Sequence, residues 1–179
     1  MKIKLTYLLL ILLALTSCRS KYQKLLRGND HYAKYQAAIE YYNKTDYVRS
    51  YQLFESVQPI YKGTEKDETI AYYLGLCYFN DKDYIMGSYY LSSFISTFPN
   101  SDKVEECRYK TGYSYYKCSP KYALDQDYTR KAIDEFQMYL NKYPTGTYIN
   151  ESNDYIVELR KKLEKKAFSN AKLYFDVEE

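Results

Sequence analysis

Tyr41, Tyr78 and Tyr115 recur at a fixed interval of 37 residues, and the residues around them keep the same register. Three positions before each lie Ala38, Gly75 and Gly112, and one position after each lie Tyr42, Phe79 and Tyr116. A small residue one helical turn from a large one suits two helices that cross closely: the first lets the backbones approach and the second fills the space beside the crossing. A match over several columns at this period points to stacked helical hairpins, because one such unit cannot bury its apolar face alone and does so against its neighbours.

The columns fit the tetratricopeptide pattern of Leu-Gly-x-x-Tyr, then Ala-x-x-x-Phe, then Pro. The second unit is the fullest, with Leu74-Gly75-x-x-Tyr78, Gly87-x-x-x-Leu91 and Pro99. The third has Thr111-Gly112-x-x-Tyr115, Ala132-x-x-x-Phe136 and Pro144; the first has Ala37-Ala38-x-x-Tyr41 and Ser50-x-x-x-Phe54 but no closing proline at the corresponding place. All three lack the tryptophan that opens the pattern. Asp46 and Asp83 stand at hairpin turns, where an aspartate caps the helix that follows. The pattern predicts helices at 30–44, 46–61, 66–80, 83–98, 102–117 and 128–143. From Tyr148 to Phe175 the spacing of Ile149, Ile156, Leu159, Leu163, Ala167, Ala171 and Tyr174 predicts one long amphipathic helix. The fold class is therefore all-α, a tetratricopeptide-like solenoid of three hairpins and half of a fourth over residues 30–179.

The third hairpin departs from the others. Seventeen residues separate Tyr115 from Ala132 where nine separate Tyr78 from Gly87, so eight extra residues sit in its turn. Ser119-Pro120 and the acidic stretch that follows make 117–127 a loop. Such an insertion leaves the stack intact and projects from one face, either towards a partner or without a role.

The chain opens with a basic start, Met1-Lys2-Ile3-Lys4, and an apolar run from Leu5 to Leu15, which reads as a secretory signal over 1–17. Leu15-Thr16-Ser17-Cys18 resembles the lipobox of bacterial lipoproteins. That resemblance implies acylation of Cys18, a lipidated linker over 18–29, and, with Arg19 after the cysteine, an outer-membrane address facing the periplasm. Loss of residues 1–17 removes two lysines and no acids, taking the net charge from +3 to +1. No basic footprint for nucleic acid remains. Lys161-Lys162 and Lys165-Lys166 alternate with Glu158 and Glu164 at helical spacing, which predicts a solvated, charge-paired face. Cys77, Cys107 and Cys118 are an odd set without a disulfide framework; buried thiols are the default and a Cys77–Cys107 bridge the alternative. His31 is the one histidine, with no nucleophile motif beside it, and there is no Gly-rich phosphate loop. No cofactor, metal site or enzymatic activity is expected.

In a tetratricopeptide stack the first helices of the hairpins line a concave groove, and the register assigns its side chains. One column is Tyr35, Tyr72 and Tyr109; a second is Ile39, Leu76 and Tyr113; a third is Tyr42, Phe79 and Tyr116; Asn43, Asn80 and Lys117 form a fourth, and Tyr61 stands at the rim. An aromatic wall edged by amides suits an extended peptide, whose backbone the amides hold while its rings dock on tyrosine. The alternative is that these tyrosines pack adjacent repeats together.

Ser119-Pro120, the run from Leu124 to Gln137, Asn141-Lys142-Tyr143-Pro144 and the run from Glu158 to Phe168 together resemble the outer membrane protein assembly factor family, BamD. With the lipobox and the repeats, the resemblance covers essentially the whole chain. It implies a lipoprotein of the complex that folds β-barrel proteins into the outer membrane, binding the C-terminal β-signal of unfolded substrates and the barrel-forming subunit. Members of that family carry further repeats, so the chain reads as a fragment or a truncated product. Other binding classes fit less of the sequence: a periplasmic scaffold for cell-wall or division machinery, or a glycan-binding lipoprotein of nutrient uptake.

Overall fold

The structure, a computed structural model, describes residues 21–178. The signal over 1–17 and Cys18 lie outside the described residues. The chain runs through α1 (Lys21–Arg27), α2 (His31–Asn43), α3 (Tyr47–Tyr61), α4 (Asp67–Asn80), α5 (Tyr84–Thr97), α6 (Val104–Cys118), α7 (Asp127–Lys142) and α8 (Ile149–Glu178). Helices α2–α3, α4–α5 and α6–α7 form antiparallel hairpins, each packed on the next; α4 also touches α6, and α6 touches α8, so the first helices share one face of the stack. Among the described residues no helix is long and apolar enough to cross a membrane.

The repeat columns act as their chemistry requires. A Cβ on Gly75 would lie 2.7 Å from Leu91 Cδ2, and one on Gly112 would lie 2.9 Å from Phe136 Cδ1. These are the crossing points of the second and third hairpins. In the first, Ala38 is fully buried and its carbonyl accepts a hydrogen bond from Ser50 Oγ at 2.8 Å. Asp46 accepts from Arg49 N at 3.2 Å and Asp83 from Met86 N at 3.1 Å, the two expected caps. Asp30 caps α2 in the same way, accepting from Ala33 N at 2.9 Å. Pro99 and Pro144 follow the ends of α5 and α7, where a missing N–H ends a helix. The first hairpin stops differently: Pro59 lies inside α3, and the chain turns at Gly63, whose φ of +76° only glycine takes without strain.

Two features differ from expectation. The linker contains α1, which docks on the first hairpin through Tyr22: its ring meets Tyr41 edge-on at 5.6 Å and its hydroxyl donates to Gln52 Oε1 at 2.5 Å. A seven-residue helix carries too short a pattern to announce itself. The inserted turn, in contrast, does not project. Lys162 Nζ donates to Ser119 Oγ at 2.8 Å, Ser119 meets Thr129 Oγ1 at 2.6 Å, and Thr129 Oγ1 donates to Gln126 Oε1 at 2.7 Å. Gln126, fully buried, donates through Nε2 to the carbonyls of Lys121 and Leu124 at 2.9 and 3.0 Å. Lys166 Nζ donates to the Leu124 carbonyl, and Lys165 Nζ sits 4.5 Å above the Tyr122 ring. Lys162, Lys165 and Lys166 of α8 thus clasp the loop, and none of the four lysines of the run forms an ion pair with Glu158 or Glu164 among the described residues; Glu158 instead accepts from Tyr116.

The insertion also shifts the register. Tyr72 donates to Glu106, 34 positions on, whereas Tyr109 donates to the equivalent Glu151, 42 positions on. Val157 therefore falls in the small-residue column, and it is 52% exposed because no second helix packs there among the described residues. Beyond Leu163 the apolar stripe of α8 is open, with Tyr174 73% exposed.

Cys77 and Cys107 are buried free thiols in separate clusters, the first donating to Ser50 Oγ at 3.2 Å. Burial pushes both up to about 12.

Candidate functional site

The face shared by α2, α4, α6 and α8 is aromatic along its length, but its columns are unevenly open. In the first column, Tyr35 is half-buried between Phe54 and Tyr61, with ring centroids 6.3 and 6.0 Å away. Lys66 Nζ lies over both tyrosines, 5.8 Å from Tyr35 and 5.5 Å from Tyr61. Tyr72 donates its hydroxyl to Glu106 Oε2 at 2.7 Å under Lys103, whose Nζ is 5.7 Å from the ring. Tyr109 is only 8% exposed: its ring stacks on Tyr148 at 4.0 Å and its hydroxyl donates to Glu151.

In the second column Ile39 is half-buried, while Leu76 is 5% exposed and packs with Leu91, Phe94, Val104 and Cys107. Tyr113 is half-buried, 5.8 Å from Phe79 and 5.6 Å from Tyr155. In the third, Tyr42 lies 4.8 Å from Tyr73 and its hydroxyl accepts from Asn80 Nδ2 at 3.0 Å. Lys110 Nζ sits 4.3 Å from the Phe79 centroid, and Tyr116 donates to Glu158 Oε2 at 2.9 Å. Asn43 is exposed, and Lys117 Nζ lies 5.1 Å from the Tyr113 ring.

Two of the assigned groove residues are therefore core. Leu76 and Tyr109 are closed over by the following repeat, although the little of Tyr109 that stays exposed still lines a depression on this face. Asn80 has spent one amide hydrogen on Tyr42. Beside the half-buried Phe79 and Tyr113 lies this depression of about 400 Å³, lined by Phe79, Tyr109, Tyr113, Glu151 and Tyr155. Every lining residue belongs to a first helix or to α8, which puts the depression on the face that those helices share.

Tyr155 and Glu151 were not among the sequence-assigned residues, because the constant interval ends at the third hairpin. Carrying the assigned columns past the insertion would not have found them either: Tyr155 continues the column of Tyr73 and Lys110, and Glu151 that of Glu106, neither of which the register assigned to the groove.

The hydroxyls here stay protonated. Burial, reinforced by the carboxylate each hydroxyl faces, raises Tyr72 and Tyr109 well above their ordinary value near 10, and Tyr116 up to about 12. Burial raises Tyr42 up to about 12 against the Asn80 hydrogen bond. The surface thus offers neutral rings, hydrogen-bonding edges and a few charges. Among the described residues no three His, Cys, Asp or Glu side chains are grouped to hold a metal ion.

A family model described as YfiO, outer membrane lipoprotein, matches residues 28–179. No curated protein matches the chain.

Proposed function

Because the chain belongs to the YfiO outer membrane lipoprotein family, we propose that it is a non-enzymatic, BamD-type component of the β-barrel assembly machinery. In this reading Cys18 is acylated and ties the chain to the periplasmic face of the outer membrane. The concave groove takes the C-terminal β-signal of unfolded outer membrane proteins, and the solenoid docks the barrel-forming subunit. The observation that carries the groove is the depression of about 400 Å³ walled by Phe79, Tyr109, Tyr113 and Tyr155. An extended strand ending in an aromatic residue would lay that ring among these four, where ring–ring contacts add to the burial of apolar area. The exposed amide of Asn43 is free to hold a peptide group.

Tyr113 is the residue to test. It is half-buried and lines the depression, and because its ring also meets Phe79 and Tyr155 of the neighbouring repeats, the variant's helicity and melting temperature are measured alongside binding. Anisotropy titration of a labelled decapeptide of alternating aromatic and polar residues, ending in Phe, should show Tyr113→Ala binding roughly five-fold or more weakly than the wild type. Undiminished affinity in a folded variant would exclude the groove. The anchor is tested separately: Cys18→Ala should move the protein from the membrane to the soluble fraction, and an unchanged membrane fraction would exclude acylation as the tether.

A further inference from the structure

The depression holds one group that a purely aromatic peptide groove does not require, the carboxylate of Glu151. We propose that this is a subsite for a basic side chain, an arginine or lysine of the extended peptide, and that it sets a sequence preference; the proposal rests on the groove reading above. Neighbouring rings of the wall have centroids 5.6–6.2 Å apart, Tyr113 being flanked by Phe79, Tyr109 and Tyr155. Aromatic faces carry negative potential and attract a cation within about 6 Å of the ring centroid. Two of the rings already carry a lysine of the protein, Lys110 Nζ 4.3 Å from Phe79 and Lys117 Nζ 5.1 Å from Tyr113, which leaves to the ligand's cation the Tyr155 ring, over which no lysine lies among the described residues and which lines the depression with Glu151.

Glu151 supplies the countercharge. One of its oxygens accepts from the Tyr109 hydroxyl, and the other has no hydrogen bond or ion pair among the described residues. Lys110 is matched by Glu106 at 3.5 Å and does not neutralise Glu151. An anionic ligand group would meet Glu151 directly, and an aliphatic one would strip water from its free oxygen without replacing the lost hydrogen bond. A guanidinium does neither: it is planar, stacks on rings, and presents paired N–H donors to a carboxylate.

The test uses the full chain in detergent micelles and a set of labelled decapeptides ending in Phe. All polar positions are Gln in the parent; each is replaced in turn by Arg, and in a second series by Glu. One Arg peptide should bind roughly five-fold or more tightly than the parent. Glu151→Gln should erase that gain, the Arg peptide then binding no more tightly than the parent does to the same variant; Gln keeps an acceptor for the Tyr109 hydroxyl. No gain at any position, a gain that survives in Glu151→Gln, or a preference for the Glu series would overturn the subsite. If all peptides bind alike, only the subsite falls; if the parent itself does not bind, the groove reading falls with it.

Discussion

Tyrosine does two jobs in this chain that leucine or phenylalanine could not combine. Its ring fills the space between helices, and its hydroxyl reaches a carboxylate on a neighbouring element. Tyr72 donates to Glu106 and Tyr116 to Glu158 across repeats, Tyr78 and Tyr90 share Glu55, and Tyr139 donates to Glu105. A hydrogen bond to a charged acceptor is worth more than a neutral one, and a buried hydroxyl without a partner is costly. Tyr72→Phe keeps the ring and deletes only the hydroxyl, leaving Glu106 to Lys110. It should lower stability by about 1–2 kcal/mol in urea unfolding. An unchanged midpoint would mean that the clamp is replaced by water at no cost.

The third hairpin shows how an element absorbs an insertion. Its turn closes on itself through Gln126 and on α8 through Lys162, Lys165 and Lys166, so the extra residues become a clasp between the hairpin and the last helix. Gln126 is the centre of that clasp, because one buried side chain satisfies two loop carbonyls and accepts from Thr129. Gln126→Leu would delete three hydrogen bonds at once, leaving the Lys121 carbonyl to Leu124 N, the Leu124 carbonyl to Lys166 and Thr129 Oγ1 to Ser119, and a cost of about 2 kcal/mol follows. Amide exchange should speed up over residues 119–126 and in the facing turn of α8. Protection unchanged in both segments would show that the clasp does not hold the helix.

Across the whole molecule the tyrosine network predicts a stability that fails in alkali. Burial, with nearby carboxylates adding to it at Tyr90, Tyr116 and Tyr139, raises Tyr42, Tyr90, Tyr116 and Tyr139 up to about 12. In the unfolded chain tyrosine titrates near 10, so between roughly pH 10 and 12 the unfolded state binds fewer protons than the folded one, and stability falls as pH rises through that window. Denaturation midpoints measured from pH 9 to 12 should decline together with a delayed tyrosinate absorbance. Full ionisation near pH 10 in a folded protein would contradict the network.

The same scale separates what was legible in the chain from what was not. Hairpin number, helix bounds and the Asp46 and Asp83 caps were readable because they rest on local spacing and neighbouring residues. The small α1, the docking of the lysine run on the loop, and the place of Tyr155 and Glu151 were not, since each depends on contacts across a break in the repeat or on a pattern too short to stand out. By itself the sequence determined the stack and the aromatic character of its concave face: the 37-residue register sets both. Only the tertiary structure decided which of those rings stay open. Leu76 and Tyr109 are sealed by Val104 and Tyr148, residues of the following elements, and burial is a property of such distant neighbours rather than of position in a repeat.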